Sequence, residues 1–215
     1  MTKLLIFDLD GTLINSVYDL AHAANTIFRK YGFPEHEVEA FNQFVGSGIY
    51  KMLQRALPAE VRETELVNQI KDEFIEYYQQ NICVYTRPYD GILELLAELK
   101  SKGILLAVAS NKFQKGTETL VHNLFDDDTF SVILGQRENV PIKPDPAIVH
   151  NILETVNINA ADVLYVGDSD VDMFTAKNAG VRSIGVTWGL RSKAELETSG
   201  AKYIVDKASE ILNFI

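Results

Sequence analysis

The sequence predicts an α/β fold: a largely parallel, Rossmann-like sheet with helices on both faces, interrupted by an all-helical insert. Three observations carry this reading. Short apolar runs bounded by turn signals recur at 4–7, 104–109, 130–134, 163–166, 183–186 and 203–205, with the length and composition of buried strands. Helical patterns lie between the later runs, and strand–helix alternation implies parallel strands covered on both sides. Residues 16–82 break that alternation, showing helical spacing and no convincing strand.

In chain order, the first run, Leu4–Phe7, stops at Asp8 and Asp10, with Gly11-Thr12 behind them. Ser16–Tyr31 reads as a helix with Asp19 completing a capping box and Gly32 as its stop. The helical pattern runs on to residue 82, and the sheet is expected to resume near Val84. In GILELLAELKSKG, Ile92, Leu93, Leu95, Leu96 and Leu99 form an apolar stripe, Lys100 and Lys102 occupy the last turn, and Gly103 ends it. The expected organisation is therefore an α/β core from 1–15 and 83–215 and a helical domain from 16–82, with the two crossings forming a hinge.

Composition excludes several classes. Hydrophobic residues make up 47% and charged ones 23%, with 6 prolines, which is the balance of a folded globular chain. A net charge of −10 with no Lys/Arg cluster argues against nucleic acid, whose phosphates demand a basic face. No run approaches the roughly 20 apolar residues of a membrane span, and the N-terminal MTKLLIFDLD has too short an apolar stretch for a signal peptide. The lone Cys83 has no disulfide partner in the chain, so a buried thiol and a cytoplasmic location are expected. Asp126–Asp128 reads as a solvated loop, and His22, His36, His122 and His150 lack metal-ligand spacing.

Polar residues follow the apolar runs at four places: Asp8 and Asp10, Ser110 and Asn111, Lys143, and Asp168 with Asp172. In parallel sheets the carboxyl ends of strands are where ligands bind. Residues i and i+2 of an extended segment face one way, so Asp8 and Asp10 could share a cleft. Adding Asp168 gathers carboxylates that raise one another's pKa unless a cation intervenes; Lys143 is one such cation, and a divalent metal is implied. All-oxygen ligands favour Mg²⁺, which usually accompanies phosphate. Gly11 permits a tight turn that presents N–H groups to an anion, while Thr12 and Ser110 offer hydroxyl donors. Calcium-loop readings fail: Leu13 and Met173 stand where such a loop needs glycine.

Asp8-Leu9-Asp10-Gly11-Thr12, Ser110-Asn111, Lys143-Pro144-Asp145-Pro146 and Gly167-Asp168-Ser169-Asp170-Val171-Asp172 resemble the four ordered motifs of the haloacid dehalogenase-like hydrolase superfamily. The helical insert resembles its type-one cap. VGSG at 45–48, AKNAGV at 176–181 and GVTWG at 185–189 are similar to the phosphoglycolate phosphatase-like branch. The resemblance implies that Asp8 is a nucleophile forming an aspartyl-phosphate and that Asp10 is the acid and then the base. It implies Mg²⁺ held by the Asp8 carboxylate, the Asp10 carbonyl and Asp168, with Asp172 supporting the metal's water shell or orienting Lys143. Gly11, Thr12, Ser110, Asn111 and Lys143 would bind the phosphoryl group. Substrate choice would reside in the cap, with Gly46, Ser47, Gly48 and Lys51 as candidates, and Phe113 and Lys115 as weaker ones for the cleft wall. The implied activity is Mg²⁺-dependent hydrolysis of a small phosphorylated metabolite such as phosphoglycolate. A β-phosphoglucomutase-like transfer, a pyrophosphatase, a nucleotidase and a non-catalytic phospho-ligand-binding regulator are the alternatives.

Overall fold

A computed structural model describes residues 2–215. The chain enters strand β1 (Leu4–Phe7) and a two-residue β2 (Ile14–Asn15), then passes through α1 (Val17–Tyr31), α2 (Phe41–Phe44), α3 (Gly48–Ala56) and α4 (Leu66–Gln80). It returns through β3 (Arg87–Pro88) to α5 (Ile92–Ser101), β4 (Leu105–Phe113), α6 (Gln114–Leu124), β5 (Val132–Gln136) and α7 (Ala147–Val156). β6 (Val163–Gly167), α8 (Asp170–Asn178), β7 (Arg182–Val186), α9 (Lys193–Thr198), β8 (Tyr203–Val205) and a 3-10 turn at Ala208–Phe214 complete it.

Six strands form one parallel sheet in the order β5-β4-β1-β6-β7-β8. β1 is central, pairing Phe7 with Val108 on one side and with Val166 on the other. Its neighbours lie on opposite sides in chain order, so the carboxyl ends of β4, β1 and β6 open onto a topological switch point, where a crevice forms. Side chains of β1 alternate: Leu5 and Phe7 join the larger core beneath α1 and α5, while Leu4 and Ile6 pack with Ile148, Val149 and Ile152 of α7. Both faces are dry, which is why β1 reads as an unbroken apolar run. Each fully buried Leu, Ile or Phe there contributes about 1.5–3 kcal/mol.

The structure moves several expected boundaries. β4 continues through Ser110 and Asn111 to Phe113, and β5 begins at Val132 rather than Phe130. The pairing advances four residues on β4, Ala109 to Phe113, against two on β5, Leu134 to Gln136. That is a bulge, and bulges re-aim side chains at strand ends. Leu93 is 53% exposed, so it leaves the predicted stripe of α5. The β2–β3 ribbon, two residues on each side, was too short to leave a periodic signal.

The α1 capping box does not form. Ser16 makes no cap hydrogen bond; its hydroxyl donates to Asp10 Oδ1. Asp19 is buried and accepts from the Tyr85 N–H, the Thr86 N–H at 2.9 Å and the Thr86 hydroxyl at 2.6 Å. It thus ties the outgoing helix to the returning strand beside the β2–β3 ribbon. Gly32 does end α1 in the left-handed region, at φ 72°.

Cys83 is half-buried, with burial pushing its thiol up. His22, His122 and His150 are exposed, and His36 packs among Phe28, Phe41 and Phe44. Asp126–Asp128 is exposed, with Asp128 paired to Lys100 and Asp127 to His122. Among the described residues no helix is long and apolar enough to cross a membrane.

Candidate active site

Asp8 leaves the end of β1 with its N–H bonded to the Val166 carbonyl, and its carboxylate lies 2.9 Å from Lys143 Nζ. Lys143 is buried and fully engaged: its ammonium also donates to Asp172 Oδ1 at 2.8 Å, the Ala109 carbonyl at 2.9 Å and the Tyr165 hydroxyl at 3.0 Å. Burial works against that charge, but Asp172 and Asp8 more than restore it and hold Lys143 well above its ordinary range. Asp172 itself is fixed by a reciprocal cap at the start of α8, where Ser169 N–H and hydroxyl donate to its Oδ2. Ser169 is the N-cap residue of that helix.

Asp168 follows β6. Its Oδ1 accepts from the Thr12 hydroxyl at 3.1 Å and its Oδ2 from the Leu190 N–H at 2.7 Å. Thr12 therefore spends its hydroxyl on Asp168 rather than on a free phosphoryl site. Gly11, at φ 89°, backs directly onto this carboxylate, and a Cβ there would collide with it. Glycine is required twice over, by backbone angle and by space. Trp188 donates its indole N–H to the Thr12 carbonyl.

Asp8, Asp168 and Asp172 each bring a carboxylate oxygen within 4.8 Å of the others. Burial, then Asp172, pushes Asp8 well up, and the same two causes push Asp168 up to about 7. Buried carboxylates held this high mark negative charge that the protein alone does not balance. Asp8, Asp10, Asp168 and Asp172 face only two buried lysines, Lys112 and Lys143. The surplus is the complement of one divalent cation, and an all-oxygen donor set suits a hard one.

Asp10 stands apart from that trio. Both its oxygens accept from Lys112 Nζ at 3.0 Å, and Ser16 donates to Oδ1. Lys112 was not foreseen in the sequence. It is buried, with its ammonium 4.9 Å from the ring centre of Tyr78 on α4. Burial opposes its charge, and Asp10 with Tyr78 more than compensates, so Lys112 is held above its ordinary range. A lysine two residues beyond Ser110 was the available signal, but it carried weight only if the strand continued past Ala109.

A cavity of about 40 Å³ lies between these groups and the helical segment. Asp8, Asp10, Ser110, Asn111 and Lys112 form one side; Leu20, Val45, Gly46, Gly48, Ile49 and Met52 form the other. Of the four specificity candidates, Gly46 and Gly48 border it. Ser47 does not: its hydroxyl accepts from Arg55. Lys51 does not either, being exposed and donating to Gln54. Asn111 acts as a bracket, accepting the Lys143 N–H at 2.9 Å and donating to the Lys143 and Gly46 carbonyls. Phe113 packs edge-on to Tyr78, and Lys115 is exposed.

The chain belongs to the haloacid dehalogenase-like hydrolase family, whose model matches residues 5–186. It is 32% identical over 219 residues to a phosphoglycolate phosphatase of Haemophilus influenzae, covering 99% of this chain and 98% of the relative. To a phosphoglycolate phosphatase of Neisseria gonorrhoeae it is 38% identical over 187 residues, covering 85% and 79%. A crystal structure from Lactobacillus delbrueckii subsp. bulgaricus, described as a candidate phosphoglycolate phosphatase, superposes with TM-score 0.94 at 33% identity, covering 100% of this chain and 99% of that one.

Proposed function

We propose that this chain is a Mg²⁺-dependent phosphatase that hydrolyses small phosphomonoesters, phosphoglycolate foremost, through an aspartyl-phosphate on Asp8. The observation that carries the reading is the different setting of the two aspartates: the Asp8 carboxylate sits against Lys143 in the acidic trio, while the Asp10 carboxylate is held apart from that trio by Lys112 and Ser16. On this reading Asp8 is the nucleophile and Asp10 the proton carrier.

Asp8 attacks phosphorus, the bond to the ester oxygen breaks, and protonated Asp10 delivers its proton to the departing alkoxide. Asp10 then takes a proton from the water that attacks the phosphoryl group, which frees Asp8 and yields inorganic phosphate. Lys143 balances charge on the phosphoryl oxygens, Ser110 donates to one of them, and Asp172 aims Lys143. The Asp8 carboxylate, the Asp10 carbonyl and Asp168 would hold Mg²⁺, which when bound supplies the remaining positive charge.

Residues 16–82 are read as a cap on the core formed by 1–15 and 83–215. Its Gly46 carbonyl bonds to Asn111, its Val45 carbonyl accepts from Arg191 at 2.9 Å, and its Tyr78 ring covers Lys112. With the cap in this position the space beside Asp8 and Asp10 is about 40 Å³, which favours a small leaving group over a sugar or nucleoside. The names of the relatives agree with that size.

The test is release of inorganic phosphate from phosphoglycolate, ethyl phosphate, sugar phosphates, nucleotides and pyrophosphate, with and without Mg²⁺. Phosphoglycolate should lead, with Mg²⁺ required. Phosphoryl transfer between sugar positions without release would establish the mutase instead, and phosphate binding with no turnover on any substrate would establish the regulator.

A further inference from the structure

The cavity contains an unexplained asymmetry. Its cap side is apolar, formed by Leu20, Val45, Ile49 and Met52 with the two glycines, and contributes no cation. On the core side Lys143 is saturated by Asp8, Asp172, the Ala109 carbonyl and the Tyr165 hydroxyl. Lys112 is the one cation bordering the cavity among the described residues. Its single anionic partner is Asp10, the very group that must turn to the ester oxygen during hydrolysis.

The geometry points to Lys112 as the receptor for an anionic group, a carboxylate, on the leaving part of the substrate. This inference rests on the phosphatase reading and names the residue that would recognise the carboxylate of its substrate. When Asp10 swings to the ester oxygen, Lys112 would be left as a buried, unpaired charge, which is costly. A substrate carboxylate taking the vacated place keeps it paired throughout. Spacing supports the exchange: Lys112 Nζ is 3.0 Å from both Asp10 oxygens, so the group that Lys112 binds must be a close neighbour of the oxygen that Asp10 protonates. A carboxylate one carbon away from the ester oxygen meets that condition. The apolar cap offers nothing to hold an extended polar chain. Tyr78, fully buried beside the ammonium, has a hydroxyl with no hydrogen-bond partner among the described residues, a second donor not committed elsewhere.

The experiment compares kcat/KM for phosphoglycolate, for its carboxamide analogue and for ethyl phosphate, in the wild-type enzyme and in Lys112→Met and Lys112→Arg, with Mg²⁺ present. A charge-assisted hydrogen bond of this kind should make the wild type prefer the acid over the amide about 10- to 100-fold. Lys112→Met should lose most of its activity on the acid and far less on the neutral esters, collapsing the preference to within about 3-fold, and Lys112→Arg should keep much of it. Equal losses on all three substrates in Lys112→Met would overturn the proposal and leave Lys112 a positioning residue for Asp10. A wild type that hydrolyses acid and amide alike overturns it without any variant. Lys112→Gln replaces Lys112→Met if the latter does not fold, as judged by circular dichroism. If the wild type hydrolyses none of the three, it is the phosphatase reading that falls.

Discussion

Two Asp–Lys pairs, Asp8–Lys143 and Asp10–Lys112, lie on the core side of the cavity, and they are built differently. Lys143 meets two carboxylates, a carbonyl and a tyrosine hydroxyl, and the bracket of Asn111 fixes its backbone. Lys112 meets one carboxylate and one aromatic face. The first is a saturated lattice in which nothing can move without leaving a buried charge alone. The second has a partner shared with Ser16 and an unused donor nearby. In the proposed reaction, fixed charge would suit the transferring phosphoryl group, whose position must not vary, and an exchangeable pair would suit a proton carrier.

The sharpest way to break this contrast is through activity. Asp8→Asn should lower phosphate release at least ~1,000-fold with the fold intact, because no other group is placed to attack. Asp10→Asn should cost roughly 100- to 10,000-fold, the ordinary range for a general acid and base. A variant of Asp8 that turns over near the wild-type rate would refute the nucleophile assignment.

Stability separates the two pairs next. Lys143→Met strands Asp8 and Asp172, and should cost about 3–5 kcal/mol in urea unfolding without metal. Lys112→Met strands only the partly exposed Asp10, which keeps its Ser16 bond, and should cost roughly 1–3 kcal/mol. Equal costs would show that the saturation of Lys143 has no energetic meaning.

The smallest effect concerns pH. Asp8 is held well up and Asp168 up to about 7, so between the ordinary carboxylate pKa near 4 and about 7 the native state binds more protons than the unfolded chain. Stability of the EDTA-treated protein should therefore fall as pH rises through that window, by a few degrees of Tm. Added Mg²⁺ should raise Tm more at pH 8 than at pH 5, since only ionised carboxylates bind it. A flat thermal-shift profile across that window, with and without Mg²⁺, would contradict the charge imbalance.

Much of the fold was legible because its signals are local. An apolar run such as Leu4–Phe7 can be buried on both faces only in a covered sheet, and polar residues at the ends of such runs must fall on one rim. Asp8, Ser110, Lys143 and Asp168 were placed on that rim in this way. Lys112 was not, because its place depends on a bulge in β4 after Ala109, which carries three consecutive residues to the cavity edge. Asp19 was misread for a related reason. Three residues beyond Ser16 is a capping-box position, yet its actual partners, Tyr85 and Thr86, lie 66 and 67 residues onward.

By itself the sequence determined the strand–helix alternation, the helical interruption and the identity of the groups at the strand ends, since these follow from periodicity and short-range sterics. Only the tertiary structure decided which charge neutralises which. Asp10 meets Lys112 across 102 residues and Thr12 meets Asp168 across 156. Such pairings depend on strand register, bulges and the closing of a cavity, and Coulomb energy in a buried site changes steeply with each ångström those features move.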